Sequence, residues 1–169
     1  MTQRNREAIA SVIKAYDVRG VVGDGIDADL VRDTGAAFGL LMRGEGATRV
    51  VVGHDMRDSS PGLSEAFAEG VRSQGLDTVA LGLTSTDELY FASGTMDCPG
   101  AMFTASHNPA RYNGIKLCRS GARPVGQETG LADITDMLVE GVPSYDGEAG
   151  AASSRDVLTD YAAYLHDLV

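Results

Sequence analysis

The sequence predicts an α/β protein: a layered α/β/α domain on a mixed, largely parallel sheet. Three observations carry this expectation. Short, nearly continuous apolar runs occur at residues 49–54, 78–83 and 100–104; amphipathic helical segments lie between them; and 43% of the 169 residues are hydrophobic. Apolar runs without polar alternation mark strands buried on both faces, and strands alternating with helices give an α/β layer fold. A chain of this length buries one real core, whereas two full domains would be cramped.

From the N-terminus, residues 13–19 carry the β-compatible Ile13, Tyr16 and Val18, after which Gly20, Gly23 and Gly25 interrupt regular structure. A strand entering a glycine-punctuated loop is expected. Asp27 or Asp29 then caps a helix with Leu30, Val31, Thr34, Ala37, Phe38 and Leu41 on one face, ended by Gly44 and Gly46. After the strand at 49–54, Ser60 reads as N-cap and Pro61 as first helical residue of a second helix, which buries Leu63, Phe67, Ala68 and Val71 and stops at Gly75. A short helix over 86–93 follows the strand at 78–83. The strand at 100–104 leads into a polar loop, and residues 112–118 return as another strand. Leu131, Ile134, Leu138 and Val139 mark the last helix of the domain. Residues 141–155, rich in Gly, Ala and Ser with Pro143, read as a linker. Residues 156–169 open a new amphipathic helix with nothing evident to pack on, as at the truncated start of a second domain. The expected division is therefore 1–140, 141–155 and 156–169.

The formal charge of -10 excludes a nucleic-acid surface, which needs a basic stripe. No apolar run approaches the roughly 18 residues that cross a bilayer, and Met1-Thr2-Gln3-Arg4 is not followed by a signal-type stretch. A soluble, cytoplasmic protein without membrane partners is expected. Cys98 and Cys118 lack metal-ligand spacing and read as buried, inert thiols in a reducing compartment. The only lysines are Lys14 and Lys116, so each draws attention.

The strongest chemical signal is Thr104-Ala105-Ser106-His107-Asn108-Pro109. A serine at the end of a buried strand, in a loop stiffened by proline, is held outside the sheet where a phosphate can reach it. His107 exchanges protons near neutral pH, and Ser106 needs a base, a metal or nearby cations to act as a nucleophile. A plain polar turn built by Ser106 and Asn108 is the bland alternative. A serine hydrolase is a weak rival, because no Gly-x-Ser-x-Gly elbow is present.

The hexapeptide resembles the phosphoserine signature of the α-D-phosphohexomutases (phosphomannomutase/phosphoglucomutase). Three further segments resemble that family in order: residues 14–20 (Lys-Ala-Tyr-Asp-Val-Arg-Gly), residues 53–61 (Gly-His-Asp-Met-Arg-Asp-Ser-Ser-Pro) and residues 113–116 (Asn-Gly-Ile-Lys). The resemblance implies the family's N-terminal domain and a reversible transfer in which phosphoserine and a hexose 1- or 6-phosphate, of mannose or glucose, exchange a phosphoryl group through a bisphosphorylated sugar. It implies Ser106 as phosphate carrier, His107 and Lys116 for acid/base work, and Arg19 as a grip on the phosphoryl group. Tyr16, Arg57, Ser59, Asn108 and Asn113 are candidates for the substrate or phosphate site. Magnesium is the implied cofactor, with Ser106 its ligand here through the phosphate.

Each helper also has a plainer reading. Arg19 and Lys116 can be surface charges, and Ser59-Ser60-Pro61 is accounted for by helix capping. His54 reads as a structural histidine. Asp24, Asp27 and Asp29 lack both EF-hand spacing and the family's Asp-Gly-Asp-x-Asp-Arg metal loop. That loop and the sugar-reading segments belong to later domains in the family. The chain alone is therefore expected to lack mutase turnover, and a non-catalytic binding or scaffold domain of the same fold is the alternative.

Overall fold

A computed structural model describes residues 4–169. The chain opens with a helix absent from the sequence expectation, α1 (Arg6–Val12), whose first turn is capped by Asn5 through its side-chain oxygen. Residues 13–19 do not form one strand. Ile13 and Val18 make a single bridge across a bend, and β1 (Val18–Val22) starts only at its far side. Gly20 is extended and pairs with Asn113, so it continues the strand that it was expected to break. A two-residue β2 (Gly25–Ile26) follows, then α2 (Ala28–Gly44), capped by Asp27, whose Oδ1 accepts the Leu30 N–H at 2.8 Å.

The apolar runs form strands as expected: β3 (Arg49–His54), β4 (Asp77–Leu83) and β5 (Gly100–Phe103). Between them lie α3 (Ser60–Ser73) and α4 (Thr86–Thr95), the latter opened by a Ser85/Glu88 capping box. After β5 come β6 (Tyr112–Arg119), a short β7 (Arg123–Pro124) and α5 (Leu131–Glu140). The sheet order is β2-β1-β6-β5-β3-β4-β8, with β7 beside β6 and β8 being Ala152–Ser154. Pairs β3/β4, β3/β5, β4/β8 and β1/β2 are parallel, while β6 runs antiparallel to β1, β5 and β7.

Period-two alternation sends successive side chains of the central strands to opposite layers. Val50 and Val52 of β3 with Ala101 and Phe103 of β5 join Phe38 of α2 and Phe67 of α3, whereas Val51 and Met102 join Leu89 and Ala92 of α4. Helices α2 and α3 approach so closely that a Cβ on Gly70 would lie 1.9 Å from the Arg32 carbonyl oxygen, and one on Gly35 2.1 Å from that of Phe67.

Two further expectations change. Residues 141–155, read as a linker, contain β8, which extends the sheet through Thr78–Ala152, Val79–Ser153 and Ala80–Ser154. The terminal helix α6 (Leu158–Asp167) has a partner: Tyr161 and Tyr164 pack tilted against Phe91 of α4 at 5.5 and 5.3 Å between ring centroids, and Val157 is buried. Among the described residues no helix is long and apolar enough to cross a membrane.

Candidate functional site

Strand β5 delivers a buried Thr104 and Ala105, and the chain then emerges at Ser106 with its side chain in solvent. Ser106 has φ +55, the left-handed region. For a residue with a Cβ this costs on the order of 1–3 kcal/mol, so surrounding contacts must hold it. Locally, Thr104 Oγ1 accepts the Ser106 N–H at 3.0 Å, the Asn108 N–H binds the Ala105 carbonyl at 3.0 Å, and the Tyr112 N–H binds that of Pro109 at 2.9 Å.

The remaining support comes from the segment after β3. Arg57 donates through Nη2 to the carbonyls of Ser106 (3.0 Å) and Asn108 (2.9 Å), and through Nη1 to those of Pro109 (2.8 Å) and Tyr112 (3.0 Å). Its Nε meets Asp55 Oδ2 at 3.1 Å, and its side chain is only 7% exposed. Sequence reasoning passed over Asp55. The Ser60 hydroxyl donates to its other oxygen at 2.6 Å, and the Arg57 N–H reaches the same atom at 3.1 Å. The available signal was an acid two residues before an arginine at the end of a buried strand.

Helix capping does not account for Ser59 and Ser60. The helix starts one residue earlier than expected, with Ser59 in the N-cap position but making no side-chain cap bond. Instead Asn113 Nδ2 donates to Ser59 Oγ (2.8 Å) and Ser60 Oγ (2.9 Å). Asn113 is fully buried and, through Ser59 and Ser60, ties β6 to the start of α3. Asn113 is followed by Gly114, where a Cβ would stand 2.4 Å from the Val18 carbonyl oxygen, and this explains the glycine.

Burial alone would raise the Asp55 carboxyl. Hydrogen bonds from Ser60, the Arg57 N–H and Thr104, with the Arg57 charge, outweigh it and hold the group below the usual carboxylate range. A lowered folded-state value means stabilisation that is present above the unfolded value of about 3.9 and lost as pH falls through the folded one. Asp55→Asn should therefore lower stability at neutral pH by about 1–2 kcal/mol, with the gap to wild type narrowing below about pH 3.9. Urea unfolding of both proteins at neutral and acid pH measures this.

In front of the loop stands Arg19 of β1. Its Nη1 donates to Asn108 Oδ1 at 2.9 Å and its Nη2 to Asp17 Oδ2 at 2.6 Å, while its Nε is buried without a partner among the described residues. Lys116 of β6 lies between the inward Ile115 and Leu117. It therefore faces the α4 layer, where it lines a cavity of about 270 Å³ with Tyr16, Asp17, Tyr90, Leu117 and Pro124. Tyr16 is 78% exposed and also lines a neighbouring cavity of about 480 Å³ with Pro124 and Gln127. Asn108, Arg19 and Asp17 are thus linked side chain to side chain, and Asp17 also lines the Lys116 cavity. His107 is exposed, with Nδ1 3.4 Å from Ser106 Oγ, longer than the roughly 2.6–3.2 Å of a nucleophile–base hydrogen bond.

This arrangement can present one hydroxyl to an incoming group, with the Arg19 guanidinium bonded to Asn108 of the same loop. Among the described residues no group of three His, Cys, Asp or Glu could hold a metal ion, so the residues present do not form a metal site of their own. Cys98 and Cys118 are both buried as free thiols, and burial raises both.

Residues 10–140 match the family model described as phosphoglucomutase/phosphomannomutase, alpha/beta/alpha domain I. The chain is 41% identical over 157 residues to "Phosphohexose mutases" of Xanthomonas campestris pv. campestris (strain B100), covering 92% of this chain and 34% of that protein. It is 38% identical over 151 residues to "Phosphomannomutase" of Klebsiella pneumoniae, covering 88% of this chain and 94% of that protein. A crystal structure of a phosphoglucomutase/phosphomannomutase family protein from Burkholderia thailandensis superposes with TM-score 0.80 at 34% identity, over 89% of this chain and 34% of that one. The chain spans about a third of the length of the Xanthomonas and Burkholderia relatives.

Proposed function

Because the chain belongs to the phosphoglucomutase/phosphomannomutase family, of which it forms the alpha/beta/alpha domain I, we propose that Ser106 is the phosphate carrier of a hexose-phosphate mutase. The observation that carries this reading is the solvent-facing Ser106, held left-handed at the end of a buried strand, with Arg19 bonded to Asn108 of the same loop. Relatives named phosphomannomutase and phosphohexose mutase support hexose phosphates as substrates.

In this reading phosphoserine hands its phosphoryl group to a free hydroxyl of a hexose monophosphate. The Ser106 Oγ–P bond breaks and a sugar O–P bond forms, while the sugar proton passes to a base, with His107 and Lys116 as candidates, and the departing Ser106 oxygen takes up a proton to become the free hydroxyl. The bisphosphorylated sugar turns over and returns its other phosphate to Ser106. Such transfers depend on positioning and charge stabilisation more than on covalent chemistry. A phosphoserine brings a charge of about -1.5 to -2, which Arg19 and Lys116 would offset in a chain already at -10. Tyr16, exposed between two cavities, supplies an aromatic face for the sugar. Magnesium would be held here by the Ser106 phosphate. The buried thiols favour a cytoplasmic setting.

Residues 156–169 we read as the start of a second domain, since α6 and its C-cap still expose Leu158, Leu165 and Leu168. The grip on the sugar then comes from domains that the longer relatives carry. The test is the chain joined to the remaining domains of a full-length relative, incubated with glucose 1,6-bisphosphate and magnesium. Intact mass should show one added phosphate, mapping to the peptide that contains Ser106; no uptake would sink the reading. The 169-residue chain by itself should show no useful turnover of glucose 1-phosphate, and turnover there would overturn the dependence on other domains.

A further inference from the structure

A guanidinium carries five N–H donors, and those of Arg57 are all committed: one to Asp55 and four to the carbonyls of Ser106, Asn108, Pro109 and Tyr112. None remains to grip a phosphate, so Arg57 does not act as the phosphate-site residue that its place in the sequence suggested. We propose that Arg57 is instead the positioning residue of Ser106, drawing four loop carbonyls inward so that the serine is fixed in its left-handed conformation with its hydroxyl outward. This rests on the reading of Ser106 as phosphate carrier.

Two consequences of the geometry give the role its chemistry. Collecting four carbonyl oxygens on one buried cation keeps their partial negative charges away from the face where a phosphate dianion sits. It also ties residues 106–112 to the end of β3, about fifty positions earlier in the chain, through a side chain only 7% exposed. Asp55 sets the plane of the guanidinium by holding Nε at 3.1 Å, and is itself held by Ser60. Lysine has three donors and no planar fork, so it cannot reproduce the arrangement.

The experiment is amide hydrogen exchange on the 169-residue chain, comparing wild type, Arg57→Lys and Arg57→Ala, with thermal unfolding alongside. In Arg57→Lys the amides of Asn108 and Tyr112 should exchange about tenfold faster while those of β3 and β5 keep their protection. In Arg57→Ala the loss should be larger, and guanidinium ion below its denaturing range should reverse it where sodium chloride at equal ionic strength does not. A general loss of packing would not respond selectively to guanidinium. Unchanged loop exchange in both variants, a loss that guanidinium fails to reverse, or unfolding of both proteins would overturn the proposal. Because the readout is loop exchange, failure of Ser106 to take phosphate would sink the carrier reading and leave this comparison standing. Unchanged exchange would do the reverse.

Discussion

Gly70→Ala should destabilise the chain by about 3 kcal/mol, at the upper end of what overpacking a close-packed contact costs. The added Cβ would stand 1.9 Å from the Arg32 carbonyl oxygen and 2.7 Å from the Ala36 N, both backbone atoms that no rotamer change can move. Relief requires α2 and α3 to separate, which opens the contacts of Phe38 and Phe67 beneath them, rings 5.9 Å apart. Alanine gains about 1 kcal/mol of helix propensity over glycine, too little to offset the clash. Gly62→Ala in the same helix is the control, since its Cβ meets nothing within 4 Å. Urea unfolding should show a lower midpoint for the first and an equal or higher one for the second. A Gly70→Ala midpoint equal to wild type would mean that the helices are not packed this tightly.

Ser106→Ala should erase phosphate uptake from glucose 1,6-bisphosphate in the domain-complete protein while leaving stability within about 0.5 kcal/mol. The two halves of this expectation come from one geometry. The Ser106 hydroxyl is exposed and among the described residues its one hydrogen-bonding contact is a long 3.4 Å to His107, so little holding the fold is lost with it. The backbone bonds that fix the loop, from Thr104 and Arg57, do not involve the hydroxyl. Intact mass and a melting curve on the same preparation measure both. A phosphate adduct surviving in Ser106→Ala would move the carrier to another residue.

How much of this was legible in the sequence depends on how local the cause is. The strands at 49–54, 78–83 and 100–104 could be read because both of their faces are buried, and buried faces write apolar runs. Helix α1 could not, since only Ile9 and Val12 of its seven residues turn inward. Gly20 misled because its neighbours, Val12 and Ile26, fill the space a side chain would use, which no local pattern records. At the site, Ser106 and its loop were legible as a motif, and Lys116 kept its place on the strand. The roles of Arg57, Ser59 and Asn113 were not, because their partners lie about fifty residues away and the same letters also write a helix cap; Asp55 binds the nearby Arg57 and Ser60, contacts that no periodic pattern marks. Strand β8 was hidden for another reason: all three of its residues are exposed, so it contributes backbone hydrogen bonds and no apolar signal.

That small strand bears on how the protein behaves in a crowded solution. With Ala152–Ser154 in place, the sheet ends on a three-residue edge at one side and on the two-residue β2 at the other. Both are too short to recruit a neighbouring molecule by strand pairing. Were the polypeptide cut after Glu140, the seven-residue β4, with Val79 and Leu81 along it, would become a bare edge. A stretch that reads as mere tether therefore covers residues 78–80 of what would otherwise be an open strand edge.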